Sequence, residues 1–219
     1  MRQLLLLLPL IGLLSGCVDI PERTARDSVR PANTGVPVRT SDRQCLSELG
    51  AQKATFTPIP DRYFGTGCST VNSVTLASLR SDYHQLSVSN LGPVTCPMAN
   101  TFAAWARYGV DRAARQILGS PLVRIETMGS YSCRNVAGTS RRSGHATANA
   151  IDVSGFVLAD GRQVSVLRDW NAGSEAEQRF LRIVHESACK RFGMVLGPQY
   201  NAAHRDHFHL EQKNGSFCR

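Results

Sequence analysis

The sequence predicts an α+β domain stapled by disulfides, with a small antiparallel sheet flanked by helices. Three observations predict it. Two segments repeat their apolar residues with a helical period, an Asp-Gly pair separates two short apolar runs as in a hairpin, and six cysteines follow what reads as an export signal. Helices interspersed with antiparallel hairpins are the mark of the α+β class.

Taken in order, Met1-Arg2 and the apolar run from Leu4 to Ile11 have the n-region and h-region of a secretory signal. The run is too short for a comfortable membrane span. It ends in Leu14-Ser15-Gly16-Cys17, which resembles the bacterial lipobox. Residues 1–17 are therefore expected to be a lipoprotein signal, with Cys17 the lipidated residue and a membrane its partner through that anchor. Each buried methylene of an acyl chain would contribute about 0.8 kcal/mol. Residues 18–44 carry scattered charge and few large apolar side chains, so they read as a flexible tether. Its last residues, Ser41-Asp42-Arg43-Gln44, have the capping-box spacing of a short helix that runs through Cys45-Leu46 and stops at Gly50. The folded body is 45–219, long enough for one core.

Phe56 to Val94, rich in Thr, Ser, Gly and Pro, reads as small strands and loops. Pro97 to Leu118 is the clearest helix, with Met98, Phe102, Trp105 and Ala106 on one stripe and Gly119-Ser120-Pro121 ending it. Ala150–Val157 and Gln163–Leu167 flank the hairpin signal Asp160-Gly161. A second helix starts at a Ser174/Glu177 capping box and buries Phe180, Leu181, Val184 and Ala188 before Gly193. The last strand is expected at His207–Glu211.

The chain has 25 Lys+Arg against 17 Asp+Glu, a formal charge of +8, so its surface attracts anionic polymers. No run of five like charges occurs, which argues against a nucleic-acid partner. Cys45, Cys68, Cys96, Cys133, Cys189 and Cys218 remain once Cys17 is set aside, an even number that reads as three disulfides in an oxidising compartment. The spacing leaves their pairing open, although Cys45 with Cys68 closes the shortest loop. His185 and Cys189 sit four apart on a helix, and Cys189 reads as a half-cystine rather than a metal ligand.

His204, His207 and His209 fall within six residues, and His145 precedes Asp152 by seven. In a strand, His207, His209 and Glu211 share one face while Phe208 and Leu210 point to the core. Asp152 lies in an apolar strand, where an unpaired carboxylate is costly and a cation partner is expected. One zinc ion held by two histidines and one carboxylate keeps its fourth tetrahedral position open, as catalytic sites do.

The pattern His145-(x6)-Asp152 followed by His207-x-His209 resembles the signature of the zinc peptidases that include lysostaphin-type endopeptidases, D-alanyl-D-alanine peptidases and the hedgehog fold. The fuller His204-x-x-His207-x-His209 resembles penicillin-insensitive murein endopeptidase. Over about residues 45 to 211 the chain is most similar to the bacterial extensin-like C-terminal domain family. The segments that carry this resemblance are Ser130-Tyr131-Ser132-Cys133-Arg134, Ser143-Gly144-His145-Ala146-Thr147, Asn149-Ala150-Ile151-Asp152 and Leu196-Gly197-Pro198-Gln199-Tyr200-Asn201. The resemblance implies that His145, Asp152 and His209 are metal ligands and His207 the general base. The D-alanyl-D-alanine dipeptidases place a glutamate where this chain has Asp206, a shorter side chain expected to orient a histidine instead. His204 is expected to shuttle protons or bind substrate. Arg134 is expected to hold a substrate carboxylate or polarise the scissile carbonyl, although its spacing from Tyr131 is not that of the dipeptidases.

The expected function is a zinc-dependent peptidase acting on peptidoglycan stem peptides or crosslinks at the periplasmic face of a bacterial membrane. Two other classes compete. A non-catalytic zinc-binding lipoprotein would bind the wall without cutting it, and a cysteine peptidase built on Cys133 would resist chelation and succumb to thiol alkylation.

Overall fold

The computed structural model describes residues 40–219. The signal segment, Cys17 and the tether up to residue 39 lie outside the described residues. The first helix, α1 (Thr40–Ala51), contains the Ser41–Gln44 segment and the run to Gly50 expected to be helical, so the folded body begins at Thr40, before the expected boundary at residue 45.

Four short strands follow in the Thr- and Ser-rich region: β1 (Thr55–Pro58), β2 (Ser73–Arg80), β3 (Gln85–Ser89) and β4 (Val94–Thr95). The expected long helix begins as α2 (Cys96–Trp105), with proline in its first turn, where no intrahelical N–H is needed. It continues through wider π-helical turns over Ala106–Asp111 and Ala114–Leu118. Gly119, at φ 70°, stops it in the left-handed conformation that glycine adopts without strain.

Next come β5 (Leu122–Gly129), β6 (Ala150–Leu158) and β7 (Gln163–Ser165). The Asp-Gly hairpin forms as expected, with Phe156 opposite Val164. Its second arm is shorter than the sequence suggested, because Val166 and Leu167 already belong to α3 (Val166–Ala172). In α4 (Glu175–Cys189) both arms of the Ser174/Glu177 capping box are made. The chain closes with β8 (Met194–Leu196), β9 (Phe208–Glu211) and β10 (Phe217–Cys218).

Class α+β holds, but the sheet is neither small nor wholly antiparallel. Among the described residues ten strands join in the order β1-β2-β3-β5-β6-β9-β8-β10, with β4 on β2 and β7 on β6. The pairs β3/β5 and β8/β10 are parallel. The reason for the first is α2, since a helical crossover between two strands returns the chain in the same direction.

Trp105 lies at the centre of the core. Its ring meets Phe102 on α2, Phe156 on β6 and Phe192 just beyond α4 at centroid distances of 5.7, 6.2 and 6.2 Å. Its Nε1–H donates to the Val184 carbonyl at 3.2 Å, so one fully buried side chain ties α2 to α4 and to the sheet. Phe180 of α4 packs edge-on against Phe156 at 5.3 Å, as the periodicity of the helix required.

Three disulfides form: Cys45–Cys96 between α1 and α2, Cys68–Cys133 between two loops, and Cys189–Cys218 between α4 and β10. The short Cys45–Cys68 loop is not among them. Cys189 is a half-cystine, as the sequence indicated, and His185 is buried between Trp170 and Phe208.

Replacing Trp105 by Ala should lower the unfolding free energy by about 3–5 kcal/mol, since it empties a core site and removes the indole hydrogen bond to α4. Urea unfolding with the disulfides intact measures this, and a loss below about 1 kcal/mol would show that Trp105 does not hold the layers together.

Candidate metal centre

Strands β6 and β9 pair so that Asp152 stands directly opposite His209, flanked by Ile151 opposite Leu210 and Val153 opposite Phe208. The four apolar residues are fully buried in the core. Alternation along each strand then turns Asp152 and His209 together to the other face. They are 8% and 6% exposed.

The third member comes from outside the strands. His145 sits in a 3-10 turn, Gly144–Thr147, whose first residue follows the capping Ser143, and Ala148 in the left-handed conformation (φ 55°) leads the chain into β6. On the far side β5 ends at Gly129, opposite Asp152, with φ 113°. A side chain there would be strained, and the bend turns the next carbonyl, that of Ser130, toward His145.

That carbonyl can only accept, so His145 donates its Nδ1–H to it at 2.9 Å. In the neutral ring the lone pair is therefore on Nε2. This atom lies 3.1 Å from Asp152 Oδ2 and 3.2 Å from His209 Nδ1. His209 Nδ1 is 2.9 Å from Asp152 Oδ1, and its Nε2–H points outward to Glu211 Oε2 at 3.3 Å. The outer hydrogen bonds thus leave His145 Nε2, His209 Nδ1 and the Asp152 carboxylate as three electron-pair donors facing one another, all within 4.8 Å. Donors at such distances need a proton or a cation between them.

Between His209 and Asp152 a proton can fill that role. Burial alone would raise the Asp152 carboxyl, but the hydrogen bonds from His145 and His209 outweigh it and hold the group well below the usual carboxylate range. Burial alone would lower His209, but Asp152 and then Glu211 outweigh it and push the ring up to about 9. Two imidazoles and a carboxylate are a donor set that suits zinc.

The remaining candidates cluster around this trio. His207 donates Nδ1–H to Asp206 Oδ1 at 2.8 Å and directs Nε2 toward the cluster, 3.6 Å from Asp152 Oδ1. Asp206 is thus hydrogen-bonded to His207; both precede β9, which begins at Phe208 rather than His207. The ring of His204 lies 5.1 Å from that of His207 and 5.9 Å from that of His209, and its Nδ1 contacts Asn201 Oδ1 at 2.7 Å. Its own desolvation first, then the charges of His207 and His209, lower it to about 4, so it is neutral at pH 7. Arg134 is exposed, and its charge adds to the lowering of His204. Neither Arg141 nor Arg142 pairs with Asp152. The guanidinium of Arg142 is engaged by Thr66 and Asn135 instead.

Strand periodicity placed Glu211 on the face of His209 but assigned it no role. The same face holds its oxygen on the outer nitrogen of His209, and Gly144 makes room for it. A Cβ at Gly144 would come within 2.6 Å of Glu211 Cδ. The Ser130 carbonyl had no sequence signal, because a backbone acceptor is invisible in residue identity. A second group, His185 with Cys189 and Cys218, could face a cation only if its sulfurs were free, and they are bonded to each other.

Residues 43–219 match the family described as "Extensin-like protein C-terminus". Comparison with curated proteins and with solved structures gives no match.

Two outcomes follow from the geometry. Glu211→Ala, and Gly144→Ala by displacing Glu211, should each weaken zinc binding by about 10–100-fold in a competition titration with a chelating dye. Unchanged affinity in both would show that the outer hydrogen bond does not position His209. In chelator-treated protein the raised His209 stabilises the fold fully below about pH 6.5, and this contribution is lost as pH rises through about 9. A zinc ion held by His209 Nδ1 would have to displace that proton, so between these limits its uptake would release a proton and its affinity would climb with pH. Calorimetry in buffers of different ionisation enthalpy reads the proton directly, and a pH-independent affinity would overturn the assignment.

Proposed function

We propose, for a chain that belongs to the extensin-like protein C-terminus family, that it is an exported zinc-dependent peptidase acting on peptide stems or crosslinks of peptidoglycan. The observation that carries this reading is the convergence of His145 Nε2, Asp152 and His209 Nδ1, with both imidazoles turned inward by a hydrogen-bond partner behind them. Motif likeness to D-alanyl-D-alanine peptidases and murein endopeptidases, the export signal, the lipobox-like Cys17 and the positive surface support the choice of substrate.

His145, Asp152 and His209 would hold the metal. When bound, zinc supplies Lewis acidity, polarising an amide carbonyl and making water acidic enough to attack at neutral pH. Everything else falls to the chain. His207, with Nδ1–H fixed on Asp206, has its Nε2 lone pair free to accept a proton from the attacking water and return it to the leaving amine. His204, neutral at pH 7, offers a hydrogen bond or a relay beside His207. Arg134, exposed at the edge of the cluster, meets the free carboxylate of a stem peptide with a paired hydrogen bond. The near-complete burial of Asp152 and His209 keeps bulk water from screening these charges.

His209→Ala should lose both zinc and the release of muropeptides from purified sacculi. His207→Ala should keep its zinc and lose about 10²–10⁴ in rate. Muropeptide chromatography with parallel metal analysis checks both, and a fully active His209→Ala protein would sink the proposal. Sacculus binding with no new termini would favour the non-catalytic reading, and inactivation by a thiol reagent but not by a chelator would favour the cysteine peptidase. The second of these already has against it that Cys133 is bonded to Cys68.

A further inference from the structure

An exposed loop beside the metal centre is held more firmly than a connector needs. Between β1 and β2, Tyr63 pairs with Ser69, and Phe64 N–H donates to the Cys68 carbonyl at 2.9 Å. Four further ties fasten this turn to the wall of the cluster. Ser69 N–H donates to the Ala146 carbonyl, one residue beyond His145, at 2.9 Å. Cys68 is bonded to Cys133. Arg142 Nε–H donates to the Thr66 carbonyl at 2.8 Å. The Phe64 ring leans on Tyr131 at 5.4 Å, and Tyr131 follows Ser130, whose carbonyl holds His145.

The fold nevertheless leaves Tyr63 74% and Phe64 47% exposed. Two exposed aromatic side chains, adjacent along a turn whose backbone these ties hold and one of them resting on Tyr131, offer a contact surface for a partner. The charge around them is mainly positive. Residues 59–69 and 130–142 hold Arg62, Arg134, Arg141 and Arg142 against Asp61 alone. Asp61 accepts from the backbone N–H of Asn72 at 2.8 Å. Arg62, Arg134 and Arg141 make no ion pair among the described residues.

We propose that this lip is the docking surface for peptidoglycan, with Tyr63 and Phe64 packing on sugar rings of the glycan strand and the arginines meeting carboxylates of its stem peptides. The assignment rests on the peptidase reading above. Aromatic faces carry partial negative charge and pack well against the C–H faces of sugars, while guanidinium forks match carboxylates. A partner seated on the lip is delivered beside His145 through the Ser69, Cys133 and Tyr131 ties. A membrane seated there would instead cover the centre that must stay open to substrate.

Co-sedimentation with purified sacculi tests it, using Tyr63→Ala/Phe64→Ala and, separately, Arg141→Glu. Both proteins should bind sacculi about tenfold more weakly, or less tightly still, while zinc content stays at the wild-type level in both and the Tyr63→Ala/Phe64→Ala protein hydrolyses a short soluble stem peptide at the wild-type rate. Sedimentation equal to wild type in both variants overturns the proposal, as does a wild-type protein that does not sediment. Binding to anionic phospholipid vesicles that the double variant abolishes, with sacculus binding unaffected, would assign the lip to a membrane instead. His209→Ala, run alongside, should sediment like wild type. The docking surface and the catalytic reading can therefore fail independently.

Discussion

The register of β6 against β9 is the constraint on which the candidate centre depends. With Asp152 opposite His209, the neighbours Ile151, Val153, Phe208 and Leu210 all face the core. A slip of one residue would turn those apolar side chains outward and drive a carboxylate and an imidazole into the aromatic layer around Phe156 and Trp170. Both strands are interior to the sheet, β6 held on its other side by β5 and β9 by β8, so the register has little freedom to slip. The apolar and polar faces of the same two strands therefore specify each other.

Fixing the register brings only two of the donors together, and their aim comes from backbone geometry. The left-handed turn at Gly129 offers the Ser130 carbonyl to His145, and the absence of a side chain at Gly144 admits Glu211 to His209. Each partner selects which ring nitrogen keeps its hydrogen and so which one faces inward. Buried polar groups tied this way are costly to disturb singly, because deleting one leaves its neighbours unpaired in a place water reaches poorly.

Much of this was legible in the sequence, for identifiable reasons. The Met98–Trp105 stripe, the Ser174/Glu177 box and the Asp160-Gly161 turn are local signals, and each marks a feature the structure contains. The need of Asp152 for a cation partner was accessible because an ionisable residue inside an apolar run has to have one, while the resemblance of the motifs singled out His145 and His209 as its companions. The parallel pairs β3/β5 and β8/β10 were not legible, because they join segments far apart along the chain and leave no periodic mark. Strands β8 and β10, three and two residues long, exist only as additions to an edge already formed. The left-handed turns and the carbonyl of Ser130 were hidden because they belong to the backbone, whose conformation residue identity only weakly restricts.

The cysteine connectivity bears on how the protein is made. In chain order the first four cysteines of the folded body pair first with third and second with fourth, so the two bridges interlock, while the last two pair with each other. A polypeptide that emerges amino end first and is oxidised as its thiols appear joins neighbours, which here gives Cys45 to Cys68 and Cys96 to Cys133. Neither link is native. Maturation then has to pass through thiol–disulfide exchange, in which a thiolate attacks a formed bridge and reshuffles it. A compartment that oxidises thiols without also isomerising the products would accumulate protein whose helices are stapled to the wrong loops, with Cys68 unable to bring its loop to the wall beside His145.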